Sequence, residues 1–466
     1  MMIPSYDLTI IGGGSAGYAA ARTALALGAK VAVVDGAKEL GGLCILRGCM
    51  PTKALLESSR RWFEIRHAKE FGLLTKPIRP DLDAIMRRKK TLIDDFASYR
   101  QKQLLTGKFK LYRAQARFLS PTQLELQTGK RTETISSKTI LLATGSQIQI
   151  LPLPGLEAVG YLTSDTALQL KKLPPSITVL GGGAIALEFA QFFADLGTKV
   201  TVIQRSPHLI RDFDADLATS LRQALEKQGI KIYTNTELLR FEKIRGKKTT
   251  HFKQNGKTVQ VTSEEIFYGL GRMANIAGLQ LENAKIKVAH GKPTVNSRMQ
   301  TSQKNIFAAG DVASPYEVVH IAIQQGEIAA KNAIALLNSK PLKEQFDDRL
   351  KTTVLFTHPE VAQVGMNEAE LQAAQIPYKT AQYPFADHGK SMIHGETDGF
   401  MKLLCDPKNG KILGGSIVGP HASELIHEII TVMYFNGTAR DIALIPHYHP
   451  TLAEMITYPA EELAGM

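Results

Sequence analysis

Two cysteines five positions apart stand in the run Gly41-Gly42-Leu43-Cys44-Ile45-Leu46-Arg47-Gly48-Cys49-Met50-Pro51-Thr52-Lys53, and the whole chain of 466 residues holds only 3. Paired thiols can open and reclose a sulfur–sulfur bond, a two-electron exchange that needs no metal. An ideal helix would hold positions i and i+5 roughly 8–9 Å apart at the α-carbons, whereas a disulfide tolerates at most about 7 Å. A bridge between Cys44 and Cys49 therefore requires a distorted helical start, for which Gly48 and Pro51 are suitable residues. A strained, exposed bridge is the readily reduced kind. The alternative is a pair of unrelated buried thiols, since free cysteine is among the most buried residue types. Cys405, alone in a strand-like run, reads as such an inert thiol.

The elements before the cysteines favour the redox reading. Apolar Leu8–Ile11 leads into Gly12-Gly13-Gly14-Ser15-Ala16-Gly17, an alanine-rich helix follows to Leu27-Gly28, and Val31–Val34 ends at Asp35. The pattern recurs at one constant offset. Thr178–Leu180 leads into Gly181-Gly182-Gly183-Ala184-Ile185-Ala186, then Phe189–Leu196-Gly197, then Val200–Ile203 and Gln204. In such a strand–turn–helix unit the first glycine makes the tight turn. The second lets the backbone approach a pyrophosphate, and the third allows close helix–strand packing. The helix N-terminus adds amide donors and the positive end of a dipole. Asp35 can accept hydrogen bonds from free ribose hydroxyls. At the equivalent place Gln204 is followed by Arg205 and then by Arg211, guanidiniums able to pair with a 2′-phosphate, so NADPH is the expected second dinucleotide, with NADH the alternative.

With 44% hydrophobic and 21% charged residues, the chain has the composition of an ordinary globular protein of several domains. No run approaches eighteen consecutive apolar residues, so no membrane span is expected. The first residues lack the pattern of a signal peptide, and so few cysteines fit a reducing cytoplasm. The net charge of +12 could mark nucleic-acid binding. The basic residues are dispersed, however, and their densest block, Arg87-Arg88-Lys89-Lys90, lies in an amphipathic pattern from Asp81 to Leu105. That reads as a solvated helix face, and no nucleic-acid partner is expected.

Taken together, seven ordered motifs resemble the flavin-dependent pyridine nucleotide–disulfide oxidoreductases, the family of dihydrolipoyl dehydrogenase, glutathione reductase and mercuric reductase. They are Gly12–Gly17, Gly41–Lys53, Ala143-Thr144-Gly145-Ser146, Gly181–Glu188, Gly269-Leu270-Gly271-Arg272, Ile306-Phe307-Ala308-Ala309-Gly310-Asp311 and His449-Pro450-Thr451-Leu452-Ala453-Glu454. The resemblance implies an α/β fold with two Rossmann-like dinucleotide-binding domains and a C-terminal α+β dimerisation domain. An FAD domain would use 1–151 and 270–345, an NAD(P) domain 152–269, and an interface domain 346–466. The cofactor-binding set it implies comprises Gly12, Gly14, Ser15, Ala16, Gly17, Asp35, Gly42, Cys44, Lys53, Ala114, Thr144, Gly145, Ser146, Gly310, Asp311, Val318 and His320, together with Gly181, Gly183, Ala184, Ile185, Ala186, Glu188, Arg205, Arg211 and Gly271. No metal site is expected.

The same resemblance makes Cys44 and Cys49 a redox-active disulfide, Cys49 facing the flavin and Cys44 meeting substrate. It makes His449 the acid–base group with Glu454 orienting its ring, and pairs Lys53 with Glu188 beside the flavin. The dyad would reach the disulfide from the other subunit of a homodimer. The substrate pattern is nearest dihydrolipoyl dehydrogenase, through His320, Ala322, Thr357-His358-Pro359-Glu360 and Gly419-Pro420. That makes a small dithiol or a lipoyl-bearing protein the expected partner. Arg22 matches one substrate-binding arginine of glutathione reductase, but the second is absent from Val318–Gly326, and the chain ends without the cysteine pair of mercuric reductase. Gln204, and Leu43, Leu46 and Arg47 around the cysteines, depart from the dihydrolipoyl dehydrogenase pattern. An NADPH-dependent reductase of another small disulfide or of metal ions is therefore the alternative. A flavin-bearing redox sensor is the reading from a different class, and the acid–base dyad argues against it.

Overall fold

The computed structural model describes residues 3–74, 76 and 78–466. The chain divides into two compact units, residues 1–51, 89–149 and 271–347 in the first, and 52–88, 150–270 and 348–466 in the second.

The first unit is built on a seven-stranded sheet. Strand Val31–Val34 runs parallel to Ser5–Ile11, with Leu8 opposite Val31 and Ile11 opposite Val34. Ser5–Ile11 runs parallel to Arg131–Leu142 on its other side, and Ile306–Ala308 joins that strand in parallel. All four residues of Val31–Val34 are buried, the reading of a strand covered on both faces. On one face lie helices Ser15–Ala26 and Val319–Leu337, packed together along their length. The closeness comes from alanine and glycine: a side chain at Gly326 would fall 2.3 Å from the Ala16 carbonyl oxygen. A second core gathers Phe118, Leu124, Leu126 and Ile135 from the antiparallel ribbon Gln115–Ser120, Gln123–Thr128 and Arg131–Leu142.

The second unit repeats the strand–glycine–helix device in a four-stranded parallel sheet, ordered Lys231–Tyr233, Lys199–Ile203, Ser176–Leu180, Glu265–Tyr268. Helix Ala184–Asp195 lays Phe189, Phe192 and Phe193 against Phe267 of this sheet. Leu55 and Leu56 of the helix Cys49–His67 belong to the same core, as do Leu355, Val361 and Val418 of the C-terminal sheet. That C-terminal sheet has five antiparallel strands, ordered Thr352–Leu355, Glu360–Gly365, Ile412–Gly419, Phe400–Cys405, Lys379–Pro384. Helix Ala422–Tyr434 covers it through Ile426 and Ile429. The α/β class expected from the sequence is the class found. Among the described residues no helix is long and apolar enough to cross a membrane.

One buried carboxyl in this core yields a pH-dependent stability. Asp195, 4% exposed at the end of Ala184–Asp195, has its pKa pushed up from 3.8 to about 6 by burial, against the hydrogen bonds it accepts from Gln191 and Ser59. A raised folded-state pKa means the folded chain holds this proton more tightly than the unfolded one. The associated stability is full below about pH 4 and is lost as pH rises through about 6. The span corresponds to about 3 kcal/mol at most. Asp195→Asn keeps an acceptor for Gln191 and carries no charge. Denaturant titrations at pH 4 and pH 7.5 are expected to show it gaining on the wild type by about that amount as pH rises. A constant difference between the two proteins would refute the assignment.

Candidate active site

In the first unit the glycine loop leaves no room for a side chain at Gly12 or Gly17. Gly12 has φ +109°, and a Cβ there would lie 2.3 Å from the Ala143 carbonyl oxygen. One at Gly17 would lie 1.9 Å from the Gly12 carbonyl oxygen. Helix Ser15–Ala26 starts at Gly14 with no side-chain cap, so its first amides remain available to an anion. Asp35 is buried, and its carboxylate accepts from the backbone N–H of Gly13 and of Ala37, both at 2.9 Å. The turn is thus locked to the end of strand Val31–Val34. Beside it the Thr144 hydroxyl is buried and has no hydrogen-bond partner among the described residues. Ser146 donates to Asp311 at 2.8 Å and accepts from Nε of Arg272 at 2.8 Å. Gln325 on helix Val319–Leu337 accepts from the Gly310 N–H. Ala114 is buried, while His320 lies exposed in the first turn of Val319–Leu337, just after Val318.

The cysteine segment starts against that loop. Gly42, at φ +80°, has its Cβ direction 2.8 Å from the Gly14 α-carbon. Helix Leu43–Arg47 carries Cys44 and stops at Gly48, whose φ −122° and ψ −117° break the helix before Cys49 opens Cys49–His67. The chain through the two cysteines is therefore not one continuous helix. Both are half-buried. Arg100 lies over the Tyr18 ring at 4.4 Å; burial lowers its pKa, against the opposing influence of Tyr18 and then of Cys44. Cys405 is 1% exposed, and burial pushes its thiol pKa up, as befits an inert group.

The remaining site residues lie in the second unit. Lys53 donates to both carboxylate oxygens of Glu188 at 2.9 Å. Glu188 also accepts from the Phe356 N–H at 3.2 Å, and the Lys53 ammonium stands 4.6 Å from the Phe356 ring. A buried carboxylate so placed requires its cation. The second glycine loop repeats the first, with φ +109° at Gly181 and a Cβ position 2.4 Å from the Gly269 carbonyl oxygen. Helix Ala184–Asp195 likewise begins without a side-chain cap at Gly183. Gln204 closes against Gly182, at 3.0 Å from that residue's Cβ position. Arg205 is exposed, and Arg211 is paired with Asp212 at 3.2 Å in solvent.

His449 is 81% exposed at its side chain, and its Nδ1 reaches Oε2 of Glu454 at 3.0 Å. Burial on its own would raise the Glu454 pKa, but hydrogen bonds from His388 and from His449 outweigh it and hold the carboxyl low. With Nδ1 engaged, Nε2 of His449 is left as the proton-exchanging atom. Sequence reasoning missed His388, which reaches the same carboxylate at 3.0 Å from 66 positions away and has no local pattern that could have revealed it. It named Arg272 in a motif but did not foresee its bond to Ser146.

A family model described as pyridine nucleotide-disulphide oxidoreductase matches residues 6–326, and one described as the dimerisation domain of that family matches 352–460. The chain belongs to the pyridine nucleotide-disulphide oxidoreductase family. A dihydrolipoyl dehydrogenase of Bacillus subtilis (strain 168) is 35% identical over 98% of this chain and 97% of its own. A mercuric reductase of Bacillus cereus is 32% identical over 96% of this chain and 70% of its own. Among solved structures, the HOCl-induced flavoprotein disulfide reductase RclA of Escherichia coli, in a Cu(II) complex, superposes with a TM-score of 0.86 at 26% identity, covering 99% of this chain and 100% of that one. LpdA of Mycobacterium tuberculosis gives the same TM-score, identity and coverage. The member described here is a flavin-dependent disulfide oxidoreductase, and the family takes FAD and a nicotinamide dinucleotide. The residues present fit such groups, for the turn at Gly12 and Gly17 has no room for side chains and the buried Thr144 hydroxyl has a hydrogen bond to offer.

Proposed function

We propose that this oxidoreductase exchanges an electron pair between a nicotinamide and a small dithiol of the lipoyl kind, free or borne on a protein, through FAD and the Cys44–Cys49 pair. The observation that carries the reading is His449, an outward-facing imidazole whose inner nitrogen is held by Glu454. Such a group is suited to moving protons for thiol exchange. Its Nε2 takes the proton of a substrate thiol, and the resulting thiolate attacks Sγ of Cys44. The Cys44–Cys49 bond breaks and Cys49 leaves as a thiolate. The imidazolium gives this first proton to solvent, and Nε2 then takes the proton of the second substrate thiol. That thiolate attacks the mixed disulfide; the substrate disulfide is released while the imidazolium returns the second proton to Cys44. The substrate is oxidised by two electrons and the cysteine pair reduced by two, and the reverse order reduces a disulfide. When bound, FAD and nicotinamide supply the onward carriage of that electron pair.

In this reading FAD is held by 1–151 and 270–345, and the nicotinamide dinucleotide by 152–269. Residues 346–466 form the interface of a homodimer in which the dyad of one subunit serves the cysteines of the other. The match to the dimerisation model supports that assembly, as do Phe435 and Tyr448, large apolar residues left 75% and 82% exposed. Lys53, paired with Glu188, places its charge beside the flavin.

Gln204 in place of a carboxylate, with Arg205 and Arg211 exposed nearby, supports NADPH as the preferred nicotinamide. It also favours the second reading, NADPH-driven reduction of another small disulfide or of a metal ion. One panel tests both: lipoamide, dihydrolipoamide, glutathione disulfide, coenzyme A disulfide and mercuric ion, each with NADH and NADPH. Dihydrolipoamide or lipoamide is expected to turn over fastest, and NADPH to bleach the flavin faster than NADH by about tenfold or more. Equal or faster bleaching by NADH removes the arginine argument. A lipoamide rate far below that of another substrate transfers the assignment to it.

A further inference from the structure

His388 takes no part in the chemistry described so far, yet it is 1% exposed and hydrogen-bonded on both sides of its ring. It lies between the short helical turn Phe385–Asp387 and helix Gly389–His394. Nε2 is 3.0 Å from Oε1 of Glu454, and Nδ1 is 2.9 Å from the hydroxyl of Ser391, a residue with no exposed surface. Oε1 of Glu454 is also 3.2 Å from Nδ1 of His449, so one carboxylate is shared by a buried and an exposed imidazole. We propose that His388 is a positioning residue, a buried imidazole that clamps the Glu454 carboxylate so that it holds His449 in the tautomer with Nε2 free for substrate. The proposal rests on the assignment of His449 and Glu454 as the acid–base dyad.

The hydrogen-bond inventory fixes one donor. An ionised carboxylate only accepts, so Nε2 of His388 must donate to it. In the neutral ring Nδ1 then accepts, and the Ser391 hydroxyl is placed to donate. A doubly protonated His388 would put a second cation, out of water, on a carboxylate that must also serve the imidazolium of His449 during turnover. One negative charge cannot balance both. Around the ring stand further titratable groups, and Glu461, on the same helix as Tyr458, adds a negative charge that acts on that phenol. Tyr458 stands edge-on at 6.3 Å with its phenol pKa raised, chiefly by burial, and Tyr383 is stacked on Tyr458 at 4.0 Å. Asp387, the residue just before it, is exposed to solvent. His388 thus gives Glu454 a second fixed donor. With Oε1 pinned from inside, the carboxylate cannot rotate away from the exposed imidazole that it orients.

The test uses the flavin-loaded full-length enzyme and follows dithiol oxidation against pH, with His449→Gln run in parallel. His388→Ala removes a donor that restrains Glu454. The plateau kcat is expected to fall about tenfold. The acid limb should move down by about half a pH unit, because a carboxylate no longer pinned stabilises the imidazolium of His449 less. KM for the dithiol, and flavin reduction by the nicotinamide, should stay as they were, since His388 meets neither. His388→Gln, whose amide can donate to Oε1, should recover most of the kcat. If the alanine variant does not fold, Ser391→Ala, which removes only the hydroxyl fixing the tautomer, should move the limb the same way by less. An unmoved acid limb, or a loss spread equally over both half-reactions, overturns the proposal. If His449→Gln keeps full turnover, the dyad assignment itself is wrong and this proposal falls with it; if His449→Gln is inactive and the His388 profile is unchanged, only the positioning role fails.

Discussion

Cys44→Ser is expected to abolish dithiol and disulfide turnover, by about a thousandfold or more, while leaving the protein yellow, folded and reducible by nicotinamide. In the exchange written above, Cys44 is the sulfur attacked by substrate. A serine hydroxyl can neither form the bridge nor leave as a thiolate at neutral pH. The glycine cradle, Asp35 and the Thr144 hydroxyl are separate from that sulfur, so flavin retention should not suffer. The sharpest readout is an anaerobic reductive titration. The wild type should take up one electron pair for the flavin and one for the sulfur pair, and the variant only the flavin's. Counting thiols before and after reduction gives the same answer independently. Cys405 cannot substitute, being 1% exposed on the strand Phe400–Cys405. Turnover that survives in Cys44→Ser, or a wild-type titration that stops after one electron pair, would remove the sulfur relay from the mechanism.

The readable part of this molecule was the part whose chemistry is local in the chain. A glycine loop must be glycine because its own neighbours crowd it, as Gly12 against Ala143 and Gly17 against Gly12 demonstrate. Spacing alone therefore discloses it, and it disclosed both nucleotide-type units and the α/β class. The helix across Arg87-Arg88-Lys89-Lys90 was legible for the same reason, and runs Leu82–Leu105. The break at Gly48 follows from a glycine between the short run Leu43–Arg47 and the long helix Cys49–His67. Long-range polar partnerships were not legible. His388 precedes its partner Glu454 by 66 positions, and Lys402 is separated from Asp214 by 188. Nothing in the sequence around either residue distinguishes a clamped side chain from a solvated one, because the distinction is made by folding. The ribbon Thr236–Ile244, Lys247–Gln254, Lys257–Ser263 escaped notice for a related reason. Its strands carry so many lysines and threonines that alternation is faint.

Lys402→Ala is expected to cost about 3–5 kcal/mol of folding stability, the range for removing one partner of a buried ion cluster. Lys402 occupies the middle of the apolar strand Phe400–Cys405, with its side chain 2% exposed. Its ammonium donates to Asp214 at 2.8 Å, to both oxygens of Asp216 at 3.0 and 2.9 Å, and to Glu368 at 2.8 Å. Burial would lower the lysine pKa, but the three carboxylates outweigh it and raise it. Glu368, in turn, is held low: burial pushes it up, and the bond and charge of Lys402 prevail. Alanine would leave three carboxylates facing one another, with the Asp214 side chain only 6% exposed and without its cation. The pH dependence then separates charge from packing. Glu368 has a depressed folded-state pKa, so in the wild type its contribution is present above its unfolded value of 4.5 and is lost as pH falls through the depressed one. In the variant the same groups are crowded without a cation and are relieved by protonation. The stability gap should accordingly be widest from about pH 6 to pH 9 and narrow sharply towards pH 4. Lys402→Met, which restores the apolar stem but no charge, should show the same narrowing. Denaturant unfolding of the three proteins at pH 4, 7 and 9 decides the matter: a gap under about 1 kcal/mol at pH 7, or one independent of pH, would show that Lys402 is held by packing alone.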